Sequence, residues 1–193
     1  MNNQSATMNT KDNPLGYKKE STLLVGFAIP CIISMLVTAL YNIVDQIFIG
    51  QGVGYLGNAA TNVAFPLTTI CLAITLLISI GSASRFSLSL GEGDADRAAQ
   101  AVGNALAMMV LFGILYTLCI EIFLVPLLNA FGATQDVLPY AIEYTRITAV
   151  GMPLLIITNG MSNLARADGS PNYSMMCMLI GAIINTILDP LFI

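Results

Sequence analysis

The sequence predicts an all-α integral membrane protein with about five transmembrane helices. The composition is the first reason: 56% of the 193 residues are hydrophobic and 9% are charged, whereas soluble domains carry about a quarter charged residues. The second reason is that long uncharged stretches separate the charges, and about 20 apolar residues suffice for a helix to cross a bilayer. The third is that the basic residues occur in alternate connections between those stretches.

The spacing of the charges predicts where each element lies. Residues 1–20 are predicted to form a disordered cytoplasmic tail, because they are polar and lack the apolar core of a secretory signal. Residues 21–193 are predicted to form five helices, near 22–48, 60–84, 98–126, 137–164 and 172–193.

Two features of this arrangement concern its connections and its end. The glycine-rich stretch GQGVGYLG over residues 50–57 predicts a flexible connector between the first two helices. The fifth apolar run reaches Ile193 with no polar flank behind it. We therefore expect a chain that is truncated before a sixth helix.

The distribution of Lys and Arg predicts the orientation, because cytoplasmic loops of membrane proteins are enriched in basic residues. With the N-terminus inside the cell, six of the seven basic residues lie on the cytoplasmic side and the two outer loops hold none. Arg146 is the exception and lies within a span. The prediction is a multi-pass protein of the cell (inner or plasma) membrane with a cytoplasmic N-terminus, and the six residues are Lys11, Lys18, Lys19, Arg85, Arg97 and Arg166.

Several function classes are excluded by composition. The absence of His excludes His-ligated metal sites and Ser–His or Cys–His catalysis, and a net charge of −4 without a basic cluster argues against a nucleic-acid partner. We predict that the protein is not an enzyme and has no cofactor. Its four cysteines occur singly in apolar runs and are interpreted as small hydrophobic residues: Cys31, Cys71, Cys119 and Cys177.

The first helix carries a polar stripe that ends in a carboxylate. Thr38, Tyr41, Asn42 and Asp45 are spaced at 0, 3, 4 and 7 and therefore share one helical face. An ionisable group inside a span is a candidate functional group, because it is costly unless it faces a cavity or a partner. The stripe predicts a polar cavity lining, with helix packing as the alternative. Pro30 in the same helix predicts a kink or hinge.

The fifth helix carries a second candidate set. Asn185 and Asp189 are four residues apart on one face, with Thr186 nearby, and Pro190 frees backbone carbonyl groups beside them. Carboxylate, amide, hydroxyl and carbonyl oxygens suit a small cation, and a desolvated carboxyl group can also hold a proton. The alternative is that this set caps a helix end at the outer interface.

The fourth helix carries Tyr144, Asn159 and Asn163 as possible cavity-lining residues, although interhelical hydrogen bonding is an equally good interpretation of the two asparagines. Glu143 and Arg146 are three residues apart and are expected to neutralise one another.

One short segment has the form of a protease motif, but its position argues against that activity. Residues 91–94 read Gly-Glu-Gly-Asp, the form found in intramembrane aspartyl proteases. However, Asp94 lies in a charged cytoplasmic loop, and Asp45 is expected near the opposite membrane face.

Taken together, these segments resemble the multidrug and toxic compound extrusion (MATE) family. The resemblance covers nearly all of residues 20–193, and it rests on the order and spacing of its elements. They are the Pro30 helix that ends YNIVD at Asp45, FIG at 48–50 with LG at 56–57, NVAFPL at 62–67, SLG at 89–91 followed by DRA at 96–98, NLARADG at 163–169, and Asn185 followed by Asp189 and Pro190.

The resemblance implies twelve helices in two six-helix lobes, of which this chain covers most of the N-terminal lobe. It implies a secondary antiporter that exports amphipathic or cationic small-molecule drugs in exchange for Na⁺ or H⁺. The matching cation or proton site consists of Asp45, Asn185 and Asp189, which would hold Na⁺ if sodium is the coupling ion, with Tyr144 and Asn163 as neighbours. The lipid bilayer and the second lobe of the same chain are the implied partners. The alternatives are a lipid-linked oligosaccharide flippase of the same superfamily and a non-transporting membrane scaffold.

Overall fold

A computed structural model of the chain describes residues 19–192, apart from the side chains of Asn185 and of residues 188–192. The predicted tail, except for its last two residues, lies outside the described residues. Within them the chain is helical throughout and contains no strand. The all-α fold class is therefore confirmed, and the helices are α1 (Glu20–Gly52), α2 (Tyr55–Gly91), α3 (Ala95–Ala130), α4 (Leu138–Ala167) and α5 (Pro171–Phe192).

Four of these helices, α1 to α4, are long and apolar enough to cross a membrane. The described apolar part of α5 is shorter, Pro171–Ile184, although its helical backbone continues to Phe192. Successive helices are joined by connections of two to seven residues. Such short connections force neighbouring helices to run antiparallel.

The connection between α1 and α2 differs from the flexible connector that the glycines predicted. Both helices extend into the glycine-rich stretch and leave only Val53 and Gly54 between them. Gly54 adopts a positive φ of 82°, which a side chain would strain. A Cβ atom added to Gly50 would lie 2.9 Å from the Asn58 amide nitrogen. The glycines thus serve a tight turn and a close helix approach, which spacing alone does not distinguish from flexibility.

The core lies between α2, α3 and α4, here called the three-helix bundle. Its largest fully buried side chains include Leu67 on α2, Met109 on α3 and Ile156 on α4. Small residues bring the helices close together, as is usual in membranes. A Cβ atom on Gly113 would lie 2.9 Å from the Pro153 backbone, so α3 and α4 are in backbone contact there.

Three hydrogen bonds cross between helices of the three-helix bundle. The Tyr116 hydroxyl donates to the Leu67 carbonyl at 2.6 Å, and the Thr117 hydroxyl donates to the Ala149 carbonyl at 2.9 Å. The Asn163 amide donates to the Ser79 hydroxyl at 2.8 Å. Each bond satisfies a polar group that lipid would leave without a partner, so polar contacts as well as packing hold the bundle together.

The helices α1 and α5 form a second unit, the α1–α5 pair. α1 packs mainly on α5 and touches α2 much less. Only 11% of the most apolar stretch of α1 is buried. Its apolar side chains Leu36, Leu40 and Ile43 are 58%, 61% and 58% exposed, so they form an outward apolar face that suits lipid.

Helical geometry is interrupted close to one of the prolines. α1 runs as one helix through Pro30, whose carbonyl accepts a hydrogen bond of 2.8 Å from the Ser34 hydroxyl. Helical φ and ψ are interrupted instead at Phe123 in α3, three residues before Pro126. The physical cause is the same, because the Pro126 ring clashes with the carbonyl four residues earlier.

The bundle has one end that carries most of the described basic residues. The start of α1, the α2–α3 turn and the α4–α5 turn meet at this end because consecutive helices are antiparallel. We call it the basic end, and it carries Lys19, Arg85, Arg97 and Arg166. Arg97 forms an ion pair of 3.2 Å with Asp94, whose carboxylate also caps the N-terminus of α3.

Candidate functional site

The predicted polar stripe of α1 faces the interior of the protein. Thr38, Tyr41 and Asp45 are half-buried, and Ser34, one turn earlier on the same face, is 3% exposed. Leu36, Leu40 and Ile43, which lie between them in the sequence, are exposed, which is the reverse of a helix in a soluble protein. A helix arranged in this way turns polar groups toward protein and apolar groups toward lipid.

Asp45 lies close to two tyrosines on different helices. Its carboxylate lies within electrostatic range of the side chains of Tyr41 on α1 and Tyr144 on α4. The structure thus brings three predicted site residues together, Tyr41, Asp45 and Tyr144, although 99 positions separate Asp45 from Tyr144 in the numbering.

Asn42 marks the border of this group. Its side chain is exposed, and its amide nitrogen donates to the carbonyl of Thr38 on its own helix at 2.8 Å. It lines a shallow groove of about 560 Å³ between the adjoining ends of α1 and α2. The groove is lined by Asn42, Ile43, Gln46, Ile47, Gly50 and Asn58.

Gln46 and Asn58 are polar residues of this groove that the sequence reasoning missed. The Gln46 amide oxygen accepts a hydrogen bond of 3.2 Å from the Thr61 hydroxyl, which ties α1 to α2. The Asn58 amide oxygen is buried without a hydrogen-bond partner among the described residues. Extending the α1 stripe by one residue would have included Gln46, because it lies four residues after Asn42.

The two asparagines of α4 lie away from Asp45. Asn159 donates to the Leu155 carbonyl of its own helix at 3.0 Å. Asn163 lies at the basic end, where it donates to Ser79 and accepts a hydrogen bond from Arg166. Asn163 is 19 residues from Tyr144, or roughly 28 Å along the helix. Its observed role is to join α2 to α4 rather than to line the space beside Asp45.

The expected pairing of Glu143 with Arg146 is wrong. The Arg146 guanidinium instead lies 3.7 Å from the Glu121 carboxylate on α3. Both side chains are substantially exposed, so the pair contributes little to stability. A pattern within one helix could not reveal this partner, because it depends on how α3 and α4 are aligned.

The fifth-helix candidates fall at the edge of the described structure. Asn185 and Asp189 belong to the last part of the helical backbone of α5, and their side chains lie outside the described residues. The described neighbour Thr186 donates to the Ala182 carbonyl at 2.9 Å. Across the described side chains, no group of three His, Cys, Asp or Glu residues could hold a metal ion.

Comparison with known proteins assigns these helices to a family. The chain matches the MatE family profile over residues 30–191, which is most of its length. The chain belongs to the MatE family. This confirms the resemblance found in the sequence, and because MatE family members are transporters, the prediction of a non-enzymatic membrane protein is confirmed as well.

Relatives of this MatE chain include two curated proteins and a solved structure. The FAD transporter of Shewanella oneidensis is 29% identical over 89% of the chain, and the multidrug export protein MepA of Staphylococcus haemolyticus is 27% identical over 95%. A crystal structure of MATE in complex with MaD3S superimposes with a TM-score of 0.87 at 28% identity over 96% of the chain. The chain spans only 38%, 41% and 41% of these proteins, respectively.

Proposed function

We propose that the full-length protein is a secondary multidrug antiporter. It exports amphipathic or cationic molecules in exchange for Na⁺ or H⁺ by alternating access. The observation that carries this proposal is the position of Asp45, a half-buried carboxylate on a lipid-facing helix within electrostatic range of Tyr41 and Tyr144. The MepA relative, a multidrug export protein, supports the class of substrate.

The chemistry of Asp45 suits a coupling ion. A carboxylate within a membrane span is costly when charged, so neutralising it with Na⁺ or a proton lowers the energy of the site. Carboxylate and hydroxyl oxygens are hard ligands that suit small cations. In this proposal the predicted residues Asn185 and Asp189 complete the site from α5. The packing of α5 along α1, with both helices running in the same direction, supports that role.

The packing of α1 suggests how ion binding drives transport. α1 touches the three-helix bundle only lightly, so it can shift relative to the bundle at low cost. Neutralising Asp45 favours the α1 position in which the carboxylate is most desolvated, with Pro30 as the predicted hinge. Exchange follows if the ion and the drug favour different positions of α1.

The orientation and location follow from the basic end. We propose that it faces the cytoplasm of the cell from within the plasma membrane, because cytoplasmic loops retain Lys and Arg. Glu121 and Arg146, at the opposite end, form an ion pair and so contribute no unpaired basic charge there.

The test replaces Asp45 by Asn in the full-length protein, reconstituted in vesicles with an imposed Na⁺ or pH gradient. We expect gradient-driven efflux of a cationic dye to fall by roughly 5–150-fold, the usual range of coupling between two sites. The matched control is Asp136→Asn, which removes an exposed carboxylate in the α3–α4 connection. Efflux should stay at the wild-type level in that control.

The same assay separates the alternatives. If Asp45→Asn loses efflux under only one of the two imposed gradients, the ion of that gradient is the coupling ion. Normal efflux by Asp45→Asn at equal protein levels contradicts the proposed mechanism. An absence of any gradient-driven efflux by the wild type favours the scaffold alternative instead.

A second candidate substrate comes from the FAD transporter relative. FAD and lipid-linked oligosaccharides both carry a pyrophosphate, which proteins bind with Arg or Lys side chains. Within the described part of the spans, away from the basic end, Arg146 is the one such residue, and Glu121 lies beside it. This favours a cationic substrate over both anionic ones. Faster efflux of FAD than of the cationic dye would reverse that choice.

A further inference from the structure

A cavity of about 650 Å³ lies at the basic end, between α5 and the three-helix bundle. Its volume is within the range of small-molecule sites, about 300–1,000 Å³. All of its residues on α4 lie at Ile157 or beyond. Ile157 is 13 residues from Tyr144, or roughly 20 Å along the helix, so the cavity is separate from the group around Asp45.

The walls of the cavity combine a large apolar surface with a few polar groups. The small side chains of Ala95, Ala98 and Ala99 on α3 leave room for a ligand, and the ring of Phe86 on α2 forms part of the wall. Ser174 of α5 belongs to the wall and is 1% exposed. Its hydroxyl has no hydrogen-bond partner among the described residues. A buried hydroxyl in this state can serve a ligand after rotation about one bond.

The electrostatics of the mouth favour a cation. Among the described residues, Asp168 is the one charged residue that lines the cavity, and its side chain is exposed. The α2–α3 turn, which joins the wall residues Leu90 and Ala95, adds the exposed carboxylate of Glu92.

The cavity is bordered by the C-terminal ends of α2 and α4 and by the N-terminal ends of α3 and α5. The two kinds of helix end carry opposite partial charges, which therefore offset one another. Side-chain charge therefore decides the sign. The four described basic residues of this end do not line the cavity. Arg97 is paired with Asp94 while Arg166 donates to Asn163, so the charge on the wall is negative.

We infer that this cavity binds an amphipathic monocation, with its apolar body between Phe86 and the alanines of α3 and its positive charge beside Asp168. The ligand class rests on the proposed function, whereas binding at this place does not require transport or Asp45. The cavity is a second site for such molecules, on the side from which an exporter collects them.

Cys177 provides a probe for the test, because it lines the cavity and is exposed. The full-length protein is prepared with Cys177 as its single cysteine, and its rate of modification by a small maleimide is measured with and without tetraphenylphosphonium. At ten times its Kd, the cation should slow modification roughly tenfold by occupying the cavity. The matched control keeps Cys119 alone, which is exposed on α3 outside the cavity, and its rate should not change.

Three further arms test the charge, the shape and the independence of the site. Tetraphenylborate, which has the same shape and a negative charge, should protect less than tetraphenylphosphonium at equal membrane-bound concentration. Asp168→Asn should remove that difference. Ala99→Phe, which fills the cavity from an exposed position, should abolish protection by both ions. Asp45→Asn should leave protection unchanged, so a failure of the proposed function is distinguishable from a failure of this inference.

The inference is overturned by any of three results. If Cys177 does not react in the ligand-free protein, the rest of the chain covers the cavity. Equal rates with and without tetraphenylphosphonium mean that the cavity takes no such ligand. Equal protection by both ions in the wild type means that Asp168 does not select the charge.

Discussion

The three-helix bundle and the α1–α5 pair differ in how firmly they are held. In the most apolar stretch of each helix, 33% of α2 and of α4 and 22% of α3 is buried, compared with 11% of α1. Three hydrogen bonds cross between helices within the bundle, and the Thr61 hydroxyl of α2 contacts the Gln46 amide oxygen of α1. The buried core cluster likewise draws its helical residues from α2, α3 and α4.

This difference separates stability from chemistry. The bundle holds the buried packing, but Asp45 and its polar stripe lie on the loosely packed α1. Elements that move in a working cycle must come from the less stable part of a protein, because tight packing would resist the motion. The arrangement therefore places the candidate ion-binding group on the helix that can respond to the ion.

The largest effect on stability is expected where α3 meets α4. Gly113→Ala places a Cβ atom 2.9 Å from the Pro153 backbone, which cannot move aside as a flexible side chain can. We expect a loss of about 1–3 kcal/mol from overpacking. The measurement is thermal unfolding of the purified protein in detergent.

The control for that change is Gly103→Ala on the same helix, where nothing lies within 4 Å of the added atom. It should stabilise α3 by about 0.5–1 kcal/mol through helix propensity. The two substitutions thus have opposite expected signs. A fall of equal size in both would mean that the contact between α3 and α4 does not limit stability.

A smaller loss is expected at the polar contact between α2 and α4. Asn163→Leu leaves the Ser79 hydroxyl, which is fully buried, and the Arg166 guanidinium without their described partner. We expect a loss of about 1 kcal/mol. Asn159→Leu removes a bond within one helix only and should cost less. If the two variants unfold at the same temperature, the cross-helix bond adds nothing to the bundle.

The smallest effect is expected between the two units. Thr61→Val removes the hydrogen bond to Gln46, and interhelical bonds in membranes average about 0.6 kcal/mol. The global unfolding temperature should barely change, while amide hydrogen exchange in α1 should accelerate relative to α3. Thr69→Val, which loses only a bond to its own helix, is the control. A large fall in unfolding temperature for Thr61→Val would show that α1 is part of the stable core.

Some of the site could be predicted because it depends on one helix at a time. The spacing of Thr38, Tyr41, Asn42 and Asp45 predicted one face, and the structure leaves three of these residues half-buried and Asn42 exposed. The roles of Asn163 and Arg146 could not be predicted in the same way. Their partners, Ser79 and Glu121, lie on other helices, and a sequence pattern contains no information on how those helices are aligned.

The sequence by itself determined that this chain is a helical membrane protein, because hydropathy, charge distribution and helical periodicity act locally along the chain. The family followed from the resemblance of its ordered motifs. Tertiary structure alone decided which helices share a core, where the chain bends and which distant groups meet. It divided the chain into a three-helix bundle and a loosely attached pair, brought Tyr144 to Asp45 and formed the cavity beside Asp168. The reason is that packing between helices depends on shape and alignment, which arise only when the whole surface of each helix meets its neighbours.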